Sequence, residues 1–360
     1  MSDRALEDRL AARLVQLVDC ASPSGEEGEL AGLVHAVLEP AGARDAGDDC
    51  VLAGTTSRGE RPLVLLAGHL DTIPAQDDLP ARYAGGVVHG LGAADMKGAL
   101  AVMIELLLDL PTERTLDVGA VFFPREELPF TATSPTPLLE REPGLRSADL
   151  AIVMEPTANR IQLGCLGNLN ATWTFSGTAG HSARPWLADN AIEHAARAIT
   201  ALAAEAPVEH EFAGLTFTAV TTAVMIAGGI ARNVVPGSFT VELNHRYAPG
   251  TSAATAEDGL RRRCELASAG KAILEFAGNA PSGAVPDDSP LLDALAAAAG
   301  ERSGFQPKQA WTPVAEFALA AVDAVNFGPG DPAFAHRRDE QVAAAALAAS
   351  YQALRRLIVG

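Results

Sequence analysis

The sequence predicts an α/β protein with a mostly parallel sheet, interrupted by a smaller α+β domain of ferredoxin-like pattern. Short runs that are apolar almost throughout stand at 63–68 (LVLLAG), 118–123 (VGAVFF), 149–154 (DLAIVM) and 324–328 (AVNFG). Runs of that length fit strands covered on both faces, the habit of parallel sheets. Between the first two, 96–110 (MKGALAVMIELLLDL) repeats its apolar residues at helical spacing and is stopped by Pro111. Strand alternating with helix points to an α/β layer. The middle of the chain differs. Residues 171–177 (ATWTFSG) alternate like a half-buried strand, 190–206 read as helix, 217–229 and 238–247 as strands, 253–270 as helix and 272–278 as strand. That β-α-β-β-α-β order is the ferredoxin-like pattern.

At the ends, 1–14 (MSDRALEDRLAARL) reads as a charged amphipathic helix, and 291–304 (LLDALAAAAGERSG) returns to helix before the α/β pattern resumes. The organisation that follows is one α/β domain built from 1–170 and 281–360, with an inserted domain at 171–280. A chain of 360 residues is long enough for both cores.

Composition narrows the function classes. A net charge of −18 repels nucleic acid phosphates and anionic membranes, so neither is an expected partner. The N-terminus lacks the apolar stretch of a signal peptide, and no run approaches the ~20 uncharged residues of a membrane span. Four cysteines, at 20, 50, 165 and 264, are too few and too scattered for a disulfide framework or a thiolate metal site. A reducing cytoplasm is the expected compartment.

The chemistry-bearing residues follow the apolar runs. His69 and Asp71 come directly after 63–68, Glu126 and Glu127 after 118–123, Glu155 after 149–154, and His336 beyond 324–328. Asp95 follows a Gly-rich turn and opens the helix at 96–110. The carboxyl edge of a parallel sheet is where such folds build their sites. Singly, each residue has an ordinary explanation: a surface His, an N-cap Asp, a solvated Glu pair. Together, at one sheet edge, in a chain with eight His, they point to a metal site. Imidazoles and carboxylates without thiolates suit Zn²⁺, with Co²⁺ or Mn²⁺ as alternatives, in a hydrolytic centre. Two divalent ions would balance Asp95, Glu127, Glu155 and a bridging hydroxide. Glu126, beside a ligand, is placed to take the proton of that water. Asp71, two residues past His69, is placed to orient its imidazole.

The segments GHLDTIP (68–74), GLGAADMKGA (90–99), the Glu126-Glu127 pair, VMEPT (153–157) and FGPGDPAFAH (327–336) resemble the M20 family of metallopeptidases and deacylases. The resemblance runs through nearly the whole chain in the family's order and implies a zinc-peptidase-like catalytic domain with a lid and dimerisation insert. It implies that His69 and Glu155 bind one metal ion, Glu127 and His336 the other, and that Asp95 bridges them. Glu126 would be the general base and Asp71 the orienting carboxylate. In the insert, GTAGHSARP (177–185) is similar to the family's lid motif, whose His181 would reach the partner subunit's site and stabilise an oxyanion. The strand at 233–249 is similar to the family's dimer and substrate strand. There Asn233 and Arg246 would hold substrate polar groups, Arg246 as a carboxylate clamp, with Thr312 as a further substrate contact. A homodimer through the lid domain is therefore expected.

Within the family, 164–192 and 328–340 are most similar to the desuccinylases of actinobacterial type, which remove succinate from N-succinyl-LL-2,6-diaminopimelate in lysine and diaminopimelate synthesis. A small acylated amino acid is the implied substrate. Another deacylase of the family, such as an acetylornithine deacetylase, or a dipeptidase, shares the same motifs. An inactive metal-bound binding protein is the reading from a different class, and retention of every ligand together with Glu126 weighs against it. One stretch departs from the family. At 311–317 (WTPVAEF), Pro313 and Glu316 replace the usual Asp and Arg while Thr312 is retained. The Arg-to-Glu change reverses a charge where a polycarboxylate substrate is expected; it reads first as a tolerated local change and second as an altered substrate or lost activity.

Overall fold

The computed structural model describes residues 3–287, 289–300 and 304–360. The helices expected at 1–14 and 291–304 therefore extend into residues 1–2 and 301–303, outside the described residues. The chain divides into two compact units: Met1–Gly164 with Ala284–Lys308 and Thr312–Gly360, and Cys165–Gly283 with Gln309–Trp311.

In the first unit the apolar runs form the centre of an eight-stranded sheet. Its order is Arg44–Asp45, Val51–Gly54, Asp117–Phe123, Leu63–His69, Leu150–Val153, Ala324–Asn326, Gln162–Leu163 and Gln306–Pro307. The four strands from Asp117–Phe123 to Ala324–Asn326 run parallel to one another. Every residue of Leu63–His69 and Asp117–Phe123 is buried, so these strands carry no polar alternation. On one face Leu65, Ala67, Val121 and Phe123 pack with Leu138, Leu145 and Phe317. The helix Gly98–Leu108 is buried at all but Leu108 and packs with the helices Asp3–Asp19 and Ala344–Val359. Its buried Glu105 pairs with Arg9 and Arg13 of the N-terminal helix.

The sheet is mixed rather than mostly parallel. Its edges are antiparallel where Arg44–Asp45 meets Val51–Gly54, Val51–Gly54 meets Asp117–Phe123, and Gln162–Leu163 meets Ala324–Asn326. Edge strands of two to four residues leave little periodicity to read, and two of these pairings join segments far apart in the chain. A second correction concerns the helix expected from 96. It begins at Gly98, and Asp95 is not its N-cap: Asp95 (φ −124°, ψ 92°) lies in an irregular turn, Ala93–Lys97.

Glu316 takes a place in the packing of the first unit. Its carboxylate is buried and does not present a free negative charge. Oε1 accepts from Thr133 Oγ1 (3.0 Å), Thr136 N (2.9 Å) and Thr136 Oγ1 (2.8 Å). It thereby satisfies a free N–H in the first turn of the helix Pro135–Arg141, where negative charge is also favoured.

The second unit is a five-stranded antiparallel sheet, ordered Val208–Phe212, Leu215–Gly228, Ser238–Tyr247, Gly167–Ser176 and Ala272–Ala280. Gly167–Ser176 and Ser238–Tyr247 alternate buried and partly exposed residues, because only one face is covered. There the helices Ala191–Ala203 and Ala253–Ser268 enclose Trp173, Phe175, Val241 and Leu243. Asn190 and Ser252 cap these helices, accepting from Ile192 N and Thr255 N. The strand Val208–Phe212 (VEHEF) was not foreseen, because a polar edge strand with almost no buried face carries no apolar pattern. Among the described residues, no helix is long and apolar enough to cross a membrane.

Candidate metal centre

Three parallel strands and two loops deliver the acids and imidazoles of the first unit to one place. His69 ends the strand Leu63–His69 and is fully buried. Gly68 lets it sit there: a Cβ at that position would lie 2.7 Å from Leu100 Cδ2 and 2.9 Å from Met96 Cε. The Pro332–Phe334 turn carries the chain to His336, whose φ of 62° is left-handed. Gly330 allows this segment to approach Asp95's turn, since a Cβ there would lie 2.2 Å from Ala94 O.

Asp95 stands at the centre. Its Oδ1 lies 3.1 Å from His69 Nε2 and its Oδ2 lies 3.4 Å from His336 Nε2. His336 Nε2 also lies 2.7 Å from Glu127 Oε1. Potential ligand atoms of His69, Asp95 and Glu127 fall within 4.8 Å of one another. Glu155 Oε1 is 4.0 Å from His69 Nε2, buried, and without a hydrogen-bond partner among the described residues. An orphaned carboxylate oxygen facing an imidazole is a costly arrangement unless a cation completes it.

The electrostatics point the same way. Burial and the Asp95 charge push Glu155 up to about 7. Burial and the Glu155 charge push Glu126 well above the ordinary carboxylate range. Hydrogen bonds to Asp95 and Glu127 push His336 up to about 11. Burial opposes charge on His69, yet its bonds with Asp71 and Asp95 hold it well above the ordinary imidazole range. Burial likewise opposes ionisation of Asp95, but the bonds from His336 and His69 hold it low. The cluster is short of positive charge and draws protons to make good the deficit. Divalent cations bound by these oxygens and imidazole nitrogens would displace those protons.

The loop bearing Glu126 and Glu127 is set from behind. Asp71 is fully buried. Its Oδ1 accepts from Glu126 N (2.9 Å), and its Oδ2 accepts from Glu127 N (3.0 Å) and Ser24 Oγ (2.8 Å). His69 Nδ1 lies 2.9 Å from Asp71 O and 3.4 Å from Asp71 Oδ1, which leaves Nε2 facing the cluster. Glu27 Oε1 takes the next peptide along, accepting from Arg125 N (3.0 Å) and Gly25 N (2.9 Å). Sequence reasoning assigned no role to Ser24 or Glu27. Lys308, also unassigned, is buried near Glu155, where its charge favours the carboxylate, and donates to Pro156 O (3.1 Å).

The remaining expected site residues come from other segments of the chain. In the second unit, His181 sits on the short strand Gly180–His181, paired with Val234, and its Nδ1 accepts from Ala183 N. Asn233 O accepts from Ser182 N (3.0 Å), so His181 and Asn233 are neighbours. Arg246 lies in Ser238–Tyr247, its Nε donating to Asn244 Oδ1 (2.9 Å). Thr312, in the first unit, is buried at the turn into the helix Val314–Leu319.

A mixed α/β sheet with imidazoles and carboxylates gathered at its carboxyl edge, around an oxygen left to a cation, defines a metal-dependent hydrolase. Comparison with known proteins gives the family. Residues 65–359 match Peptidase family M20/M25/M40, and the chain belongs to that family of amide hydrolases. A Mycobacterium tuberculosis protein provisionally named a succinyl-diaminopimelate desuccinylase is 38% identical over 357 residues, 96% of each chain. The succinyl-diaminopimelate desuccinylase of Corynebacterium glutamicum is 36% identical over 338 residues, covering 91% of this chain and 89% of its own. Among solved structures, a dinuclear metal-binding M20 peptidase from Bacillus subtilis has the same fold, with a TM-score of 0.68 at 18% identity, covering 99% of this chain and 98% of its own.

Proposed function

We propose that this chain removes succinate from N-succinyl-LL-2,6-diaminopimelate, in the cytoplasm and in the service of lysine and diaminopimelate synthesis, with two divalent ions, Zn²⁺ foremost. The observation that carries the reading is Asp95, whose two oxygens face His69 on one side and His336 on the other. Glu155 would complete the first ion's ligands and Glu127 the second's. The substrate assignment is supported by two relatives similar over about nine tenths of their length or more, one named and one provisionally named a succinyl-diaminopimelate desuccinylase.

The ions, when bound, would polarise the amide carbonyl and acidify a shared water. Glu126 takes the proton of the attacking water and returns it to the leaving amine. Asp71 fixes the His69 ring and the peptides of Glu126 and Glu127, so base and ligands keep their spacing. His181 of a partner subunit stabilises the oxyanion of the tetrahedral intermediate. Arg246 clamps a substrate carboxylate, with Asn233 and Thr312 as further polar contacts. Zinc-loaded protein is expected to turn over N-succinyl-LL-2,6-diaminopimelate at least about 10²-fold faster, by kcat/KM, than N-acetylornithine or simple dipeptides, a gap of about 2.7 kcal/mol in transition-state binding. Preference for either of the others would reassign the substrate within the family.

A homodimer through the second unit completes the reading. The strand Leu215–Gly228 pairs with Val208–Phe212 along Leu215 to Ala219 and with Ser238–Tyr247 from Val220 to Gly228. From Val220 to Gly228, its outer edge has no strand partner among the described residues. Val224, Met225 and Ile226 are more than half exposed there, as is Ile230 just past the strand's end. An open apolar edge is a template for another strand, and we assign it to a second copy. Sedimentation velocity should give a dimer for the native protein and a monomer for Ile226→Lys. If His181 serves the partner's site, that monomer keeps its metal and loses turnover. A native protein that sediments as a monomer with full activity contradicts both statements.

A further inference from the structure

Outside the ligand set, one buried carboxylate is spent entirely on the turn that presents Asp95. We infer that Glu340 is a positioning residue for the metal centre: its carboxylate clamps the peptide backbone of Asp95's turn and so aims both of that residue's oxygens. The inference rests on the reading of Asp95 as the bridging ligand.

The turn supplies only part of its own hydrogen bonding. Ala93 N donates to Gly90 O and Lys97 N to Gly92 O. The helix begins only at Gly98, so the peptide N–H groups of Gly92, Ala94 and Asp95 face inward without helical acceptors. All three converge on Glu340: Gly92 N to Oε2 at 3.0 Å, Ala94 N to Oε1 at 2.9 Å, and Asp95 N to Oε1 at 2.9 Å. Glu340 is 2% exposed, so these bonds meet little competition from water.

The placement of Glu340 in the chain ties the clamp to the site. It lies four residues after His336, and its own peptide N–H donates to Arg337 O at 3.1 Å. One short segment therefore puts the His336 imidazole beside Asp95 Oδ2 and the Glu340 carboxylate on the Asp95 peptide. A ligand serving two ions is more demanding than one serving a single ion, because a rotation of its peptide misdirects both oxygens at once. Groups that orient a ligand from behind commonly set metal affinity over one to two orders of magnitude.

A carboxylate is required because every partner is a donor. A glutamine in this place would keep the size but offer one acceptor oxygen, and its NH₂ would be turned toward a peptide N–H. The test is zinc binding by the full-length, metal-stripped protein, measured by competition with a chromophoric chelator, for the native chain, Glu340→Gln, Glu340→Asp and the control Glu105→Gln. Glu105 pairs with Arg9 and Arg13 away from this turn, so its substitution reports a loss of stability alone.

Glu340→Gln and Glu340→Asp are each expected to bind zinc at least about tenfold more weakly, while Glu105→Gln binds as the native chain does. In saturating zinc, the loss should fall on kcat and leave KM nearly unchanged. Should Glu340→Gln fail to fold, Glu340→Asp decides alone. Native zinc affinity in a folded Glu340 variant, whatever its melting temperature, overturns the role given to Glu340 while leaving the metal centre standing. A native chain that takes up no zinc overturns the metal centre and this inference with it.

Discussion

Glu126→Gln is expected to lower kcat by about 10³-fold, about 4 kcal/mol of transition-state stabilisation, with zinc content unchanged. The expectation follows from where Glu126 sits. Its peptide is fixed by Asp71 Oδ1, so the side chain starts from a set position. Burial and the Glu155 charge raise its affinity for a proton. Its neighbour Glu127, by contrast, is engaged by His336 and is assigned to a metal ion. Glutamine preserves shape and hydrogen bonding but cannot take a proton. Metal analysis and steady-state rates on the same preparation separate the outcomes. Native kcat in the variant would place the base elsewhere. Loss of zinc in step with rate would make Glu126 a ligand.

Asp95→Ala is expected to do still more damage: zinc per chain falls from two to one or none, and turnover disappears. Asp95 is the residue within reach of both imidazoles, at 3.1 Å from His69 Nε2 and 3.4 Å from His336 Nε2. Removing it leaves two half-sites, each with one imidazole and one carboxylate, too few donors for tight divalent binding. The replacement also removes the carboxylate against which His336 is charged, so the loop carrying His336 loses a partner. Metal content by atomic spectroscopy after gel filtration checks this directly. Two ions retained per chain by Asp95→Ala would show that Asp95 is not shared between them.

Much of this site was legible because the fold writes it in a simple order. His69, the Glu126-Glu127 pair and Glu155 each follow an apolar run that becomes a central parallel strand. Such strands are apolar throughout, so their ends are marked by the first polar residues. The edges of the same sheet were not legible: Arg44–Asp45 and Gln162–Leu163 are two residues long, too short for any periodicity. Nor was the turn at Asp95. A helix start at 96 was the local reading, but the turn is held by Glu340, 245 positions further on. Ser24 and Glu27 lie in a stretch without periodicity, and their roles exist only through contacts to Asp71 and Arg125, 47 and 98 positions away.

Glu316 was legible only as a pair of alternatives. Its charge reversal left a local and a functional reading open, and its Oε1 is occupied by Thr133 and Thr136 around the start of the helix Pro135–Arg141. Local sequence shows which chemistry is present. Whether one oxygen of a buried carboxylate takes up local N–H and O–H donors, as Oε1 of Glu316 and of Glu27 does, or lies facing an imidazole, as Oε1 of Glu155 does, depends on tertiary neighbours.

The central claim is that one carboxylate, Asp95, joins two cations. Anomalous X-ray scattering at the zinc edge, from crystals of the zinc-loaded protein, tests it most directly. Two peaks are predicted, one on each side of the Asp95 carboxylate, the first beside His69 and Glu155 and the second beside Glu127 and His336. A single peak, or a pair in which Asp95 touches only one ion, would contradict the account.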